Sequence, residues 1–166
     1  MIKLLLLLIL LVTVCVIIHG IGSIMLMRWL IWKSARKHHK ARLPATLWMV
    51  SRLVLGLLAL HLLQIFAWAA CYSSNDCFPD FITSFYYSAT SYSTAGYGDV
   101  IAPGNWRIFG AIEAVTGILM FGWSTGILFS VVQRLMADHL PVRKSMHGGL
   151  FPGDHADRQA DHDTLP

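Results

Sequence analysis

Three stretches of the chain are apolar for longer than a soluble core helix needs. Leu4 to Met27 carries no Lys, Arg, Asp or Glu, nor does Leu53 to Cys71, and Ile108 to Gln133 carries only Glu113. Spanning a bilayer takes about 20 apolar residues in a helix. The pattern predicts an all-α membrane protein with transmembrane helices at 4–32, 45–72 and 106–135. A basic loop at 33–44 joins the first two, and a segment rich in Gly, Pro, Asp and His follows at 136–166. That last segment has no apolar period and is expected to be a disordered tail.

Residues 72–105, between the second and third spans, are long for a bare loop. Their second half, "FPDFITSFYYSATSY", mixes aromatics with hydroxyls. Pro79 suits a first helical turn and Asp80 the positive end of the dipole. Phe81, Phe85 and Ser88 fall on one face. A short helix over about 79–91 is predicted, broken at Gly96 and Gly98. A short helix followed by glycine-broken backbone that returns to the same side is a re-entrant loop, here at 79–99; an extracellular amphipathic loop lying on the membrane surface is the other reading. Irregular backbone at membrane depth is tolerated only beside protein or a water-filled path.

Composition agrees with a bilayer environment: 55% of residues are hydrophobic and 13% charged, against about a quarter charged in soluble domains. Lys3 before a leucine run also suggests a signal peptide, but the run is too long and lacks a small-residue cleavage site, so an uncleaved helix is expected. Lys33, Arg36, Lys37, Lys40 and Arg42 crowd the first loop, Arg134, Arg143 and Lys144 follow the third span, and 72–105 has none. The positive-inside rule therefore places the first loop and the C-terminus in the cytoplasm and the N-terminus outside, in a multi-pass protein of the plasma membrane. The net charge of +4 follows from this topology and indicates no nucleic acid. Trp29, Trp32 and Trp48 flank the inner ends and Trp68, Tyr72 and Trp106 the outer ends, as in aromatic belts.

"STAGYGDV", residues 93–100, carries the chemistry. A cation crossing a membrane trades its hydration shell for protein oxygens, and rings of backbone carbonyls supply them. Alternate glycines let successive carbonyls point the same way. A Thr hydroxyl can add a further ring, and the negative end of a short helix favours a cation. The segment resembles the potassium channel signature T-V-G-Y-G-D, and about residues 45–135 resemble the small prokaryotic potassium channels built as outer helix, pore loop and inner helix. The resemblance implies a homotetramer in the lipid bilayer that conducts K+ passively. Thr94, Ala95, Gly96, Tyr97 and Gly98 would coordinate the ion, with Gly98 and Asp99 shaping the outer mouth. It also implies that Tyr86 and Tyr87 brace the filter, that Arg107 opens the inner helix, and that Gly117 and Gly122 are hinge candidates. Packing alone is the other reading of those glycines.

Two features depart from the family: Ala95 stands where Val or Ile is usual, and the first helix is additional. Ala95 leaves the carbonyl unaltered but can leave a void behind it, which the bulky Tyr92 could fill. A weakly selective cation channel and a nonconducting subunit that regulates another channel are the rival readings. Glu113, an ionisable residue inside a span, is expected either to support the filter or to anchor near the interface. Arg52 is a lone charge, unlike a voltage-sensor array. His19 and His61 are read as satisfied packing residues. Cys15 reads as packing, and Cys71 and Cys77 either bridge or stay free. No motif for a nucleophile, nucleotide or resident metal appears, so no enzyme activity, no cofactor and no metal beyond permeant K+ are expected. His38 and His39, with the tail histidines, weakly suggest pH modulation; His147, His155 and His162 are too irregularly spaced for a metal site.

Overall fold

The computed structural model describes residues 2–35 and 43–139. Their regular structure is helical: α1 (Ile2–Ala35), α2 (Leu43–Ser74), α3 (Phe81–Tyr92) and α4 (Arg107–His139), the last entered through a 3-10 turn at Gly104–Trp106. The fold is that of an all-α membrane protein. Ile2–Leu30, Leu47–Ser74 and Gly104–Met136 are each long and apolar enough to cross a bilayer, whereas the 12 residues of α3 are too few. Large apolar side chains such as Leu6, Leu55, Leu63, Ile118 and Phe129 face outward, which a hydrocarbon solvent permits. Most of the predicted basic loop, at 36–42, lies outside the described residues. So does the tail beyond His139, with the tail histidines and His38 and His39.

The helix ends follow local chemistry. α3 begins later than the sequence suggests because Asp80 is its cap and not part of its first turn. Asp80 is extended, with φ −150°, and its carboxylate accepts from the Thr83 N–H at 2.7 Å and the Thr83 hydroxyl at 2.9 Å. Those bonds hold the Asp80 carboxyl below its usual range. Pro79 therefore precedes the helix. Upstream, Cys71 and Cys77 are free thiols, and burial pushes the Cys77 thiol up to about 11.

α1 packs on α2 through small residues placed opposite large ones. A side chain on Gly22 would overlap the Leu60 methyls, and one on Gly56 would meet the Leu26 methyls at 2.8 Å. One turn forward on α1 matches one turn back on α2, so the helices are antiparallel and locked in register. The same register stacks the Arg52 guanidinium over Trp48 at 4.7 Å and over Trp29 at 5.5 Å, which gives this lone charge an aromatic seat.

Two apolar clusters fill the interior. One gathers Cys15, Ile65, Trp68, Tyr72, Tyr92, Phe109 and Met120; the other gathers Leu30, Leu53, Leu57 and Val131. Between them on each spanning helix lie buried polar residues: His19, then His61 and Gln64, then Ser124. Gly22→Leu would force Leu60 aside and separate α1 from α2. We expect a loss of about 1–3 kcal/mol in unfolding titrations of the purified protein in detergent, and a smaller loss for Gly22→Ala, because the Leu60 methyls can rotate away.

Candidate functional site

The segment after α3 has an unusual backbone. Thr94, Gly96 and Gly98 have φ of 60°, 49° and 78°, while the intervening Ala95 and Tyr97 do not enter the left-handed region. Handedness that alternates residue by residue turns successive peptide planes the same way, so carbonyls can gather on one side and N–H groups on the other. The N–H of Thr94 donates to the Ser91 carbonyl at 2.9 Å, and that of Gly96 to the Thr90 carbonyl at 3.1 Å. Both donors thus turn back into the end of α3. For the β-branched Thr94 the left-handed conformation is strained by about 1–2 kcal/mol, and strain of this kind concentrates at functional sites. Residues 93–99 are all exposed on the single chain, Tyr97 by 74%.

The supports of this segment come from three helices. At the end of the segment away from α3's last turn, the Tyr86 hydroxyl donates to Asp99 at 2.7 Å. That bond, chiefly, holds the Asp99 carboxyl below its usual range and raises Tyr86. Tyr87 turns the other way, with its ring 4.8 Å from Phe78 and 5.2 Å from Tyr72, and its hydroxyl meets α4 at Gly110. The two tyrosines therefore diverge: Tyr86 holds the loop, and Tyr87 seats α4 against α3.

Glu113 of α4 is fully buried. It accepts from Tyr72 of α2 at 2.8 Å and from Ser88 of α3. Ser88 also lies 2.9 Å from the Ile65 carbonyl. One hydroxyl hydrogen cannot serve two acceptors, and a proton carried by Glu113 would supply the second. Arg107 is occupied elsewhere, with its Nε donating to the Ala102 carbonyl at 3.3 Å. Glu113 thus ties α2, α3 and α4 together behind the loop.

The two hinge candidates differ. A side chain on Gly117 would collide with the Tyr92 carbonyl, whereas nothing in the chain crowds Gly122. α4 reaches the end of α3 because Gly117 has no side chain. Tyr92 is anchored by its hydroxyl. It is fully buried and sends its hydroxyl to Gln64 at 2.6 Å and to His61 at 3.1 Å. His61 and His19, read from the sequence as separate packing residues, have ring centroids 5.2 Å apart. The pairing joins residues 42 positions apart, and no local pattern announces it. Tyr72 and Gln64 were likewise missed as site residues, since their partners lie on other helices.

With this geometry in place, residues 58–134 match the model of a family described as an ion channel. The match begins within α2, takes in α3, the loop and most of α4, and leaves α1 outside. It supports an ion channel family for this region of a multi-pass membrane protein. No curated protein and no solved structure gives a match.

Glu113→Leu would strand the Tyr72 hydroxyl and leave Ser88 only the Ile65 carbonyl. We expect a loss of about 1–3 kcal/mol, one buried unsatisfied group, whereas Glu113→Gln, able to donate and accept, should cost less than half as much by the same unfolding titration. The Tyr86–Asp99 contact has a defined pH dependence. A carboxyl depressed in the folded state stabilises above its unfolded pKa, about 3.9, and that stability disappears as pH falls through the folded value. The difference in melting temperature between the parent and Tyr86→Phe should hold from about pH 7 to about pH 5 and vanish in stronger acid.

Proposed function

We propose that four copies of this chain assemble into a potassium-selective channel of the plasma membrane. The observation that carries this reading is the alternation of left-handed backbone at Thr94, Gly96 and Gly98, at the C-terminal end of α3. Carbonyls gathered on one side, together with the negative end of the α3 dipole, suit a cation stripped of water. The ion-channel match over 58–134 supports passive conduction as the activity. One such loop cannot encircle an ion, and its exposure on the single chain fits burial against further copies around a shared axis. The carbonyls of Thr94, Ala95, Gly96, Tyr97 and Gly98, with the Thr94 hydroxyl, would line the path, and Asp99 would stand at its outer mouth. The basic residues at 33–44 favour a cytoplasmic first loop and C-terminus.

Purified protein reconstituted alone into liposomes should carry a potassium flux. Gly96→Ala, which places a side chain at φ 49°, should abolish it, and reversal potentials in mixed potassium and sodium should lie near the potassium potential. Equal permeability would replace this reading with a weakly selective cation channel. No flux from a folded tetramer would replace it with a nonconducting subunit.

A further inference from the structure

Five side chains from all four helices close a hydrogen-bonded ring. Starting at α3, the Tyr92 hydroxyl donates to Gln64 Oε1 at 2.6 Å. Gln64 Nε2 lies 2.9 Å from His19 Nδ1, and His19 Nε2 lies 3.2 Å from Ser124 Oγ. Ser124 Oγ lies 3.0 Å from His61 Nε2, and His61 Nδ1 returns to the Tyr92 hydroxyl at 3.1 Å. None of the five is more than 8% exposed, and apolar clusters lie on both sides of them.

The protons can be counted. Tyr92 donates to the amide oxygen, so its oxygen must accept from His61, which therefore carries its proton on Nδ1. The Gln64 amide donates to His19 Nδ1, so His19 carries its proton on Nε2 and donates to Ser124. Ser124 donates to the bare Nε2 of His61. Each of the five links then holds one hydrogen, and all donors run in one direction around the ring. Turning the Gln64 amide over reverses the direction and both tautomers together. In either sense the two imidazoles are neutral and bear their protons on opposite nitrogens.

A sixth proton puts a charge in the ring. Protonating either histidine makes both of its nitrogens donors, so Ser124 must accept from both imidazoles and turn its own hydrogen out of the ring, and the buried charge that results has no acid among the five side chains to offset it. The other titratable groups near the ring are Cys15 of α1, in the same apolar cluster as Tyr92, and Glu113 of α4, bonded to Tyr72 and Ser88; no Asp, Lys or Arg among the described residues joins the ring's bonds.

We propose that this ring makes His19 a positioning residue for the filter: it anchors Tyr92, the last residue of α3, to α1, and it opens when an imidazole takes up a proton. The inference rests on the channel reading for its consequence. Tyr92 stands two residues before Thr94, and its carbonyl abuts Gly117 of α4. Opening the ring frees the end of the pore helix and the α4 turn at Ser124 together, so acid lowers conduction.

The test uses the full chain in lipid. Nitrogen-15 spectra of labelled histidines should show His19 and His61 neutral and in opposite tautomers near neutral pH; the same tautomer for both, or a charged ring, would overturn the proposal. This readout needs no ion flux, so it stands apart from failure of the channel reading. In liposomes, the parent flux should fall about tenfold, the weight of one buried hydrogen bond, between about pH 8 and about pH 4. The His19→Gln/His61→Gln double variant, which keeps a donor and an acceptor at each site, should give a flux that no longer varies with pH. Ser124→Ala should show at neutral pH the low flux that the parent shows in acid. A double-variant profile that superimposes on the parent, or a Ser124→Ala flux equal to the parent at every pH, would sink the idea. Glu113→Gln should keep the acid response; losing it there would assign the sensor to Glu113 and overturn the role of the ring.

Discussion

A hydrocarbon solvent offers a buried polar group no partner, so each such group in this chain must find one on protein. That constraint shapes the interior. α1, α2 and α4 are apolar enough to sit in lipid on every face, and apolarity alone gives them little reason to associate, because lipid tails compete as equals. What draws them together is the set of groups that lipid cannot satisfy, together with glycines that permit close approach. Glu113 needs Tyr72 and Ser88; His19 and Gln64 need each other and Tyr92; Gly117 lets α4 reach the carbonyl of Tyr92.

These demands converge on α3. Twelve residues cannot cross a bilayer, and any helix end leaves its last carbonyls without partners inside the helix. Here they are met by the chain that follows, through the N–H groups of Ser93, Thr94 and Gly96. The same bonds turn those N–H groups toward α3 and favour a left-handed residue at every second position. The conformation suited to gathering carbonyls on one side is thus tied to the ending of the helix. Tyr86 and Asp99 hold the far end of the loop, Glu113 steadies the middle of α3, and the bonds of Tyr92 to Gln64 and His61 hold its last residue.

α1 is the element that the family match leaves out, yet it does more than add a span. Its glycine–leucine register with α2 places His19 opposite His61 and Gln64, and those residues lead directly to Tyr92. An additional helix is thereby coupled to the base of the loop by polar bonds, in a region where apolar packing would transmit little.

Much of this was legible without coordinates. Length and apolarity determined three spans, since no soluble interior calls for runs like Leu4–Met27. The glycines at 96 and 98, after an uncharged hydroxyl-rich helix, marked the irregular loop because glycine takes left-handed backbone angles without strain. The pairings could not be read. His19 with His61, Glu113 with Tyr72, and Gly117 with Tyr92 each join different helices, and a uniformly apolar helix has no polar face to indicate which side turns inward. The strained Thr94 was equally hidden, because its conformation is imposed by bonds to α3 and not by its own preference. The start of α3 moved past Asp80 for a similar reason: whether a carboxylate joins the first turn or caps it depends on where Thr83 lies. Sequence determined which segments enter the membrane, by the cost of polar groups there. Tertiary structure decided which of the remaining polar groups meet, because in lipid only helix rotation and register bring them within bonding distance.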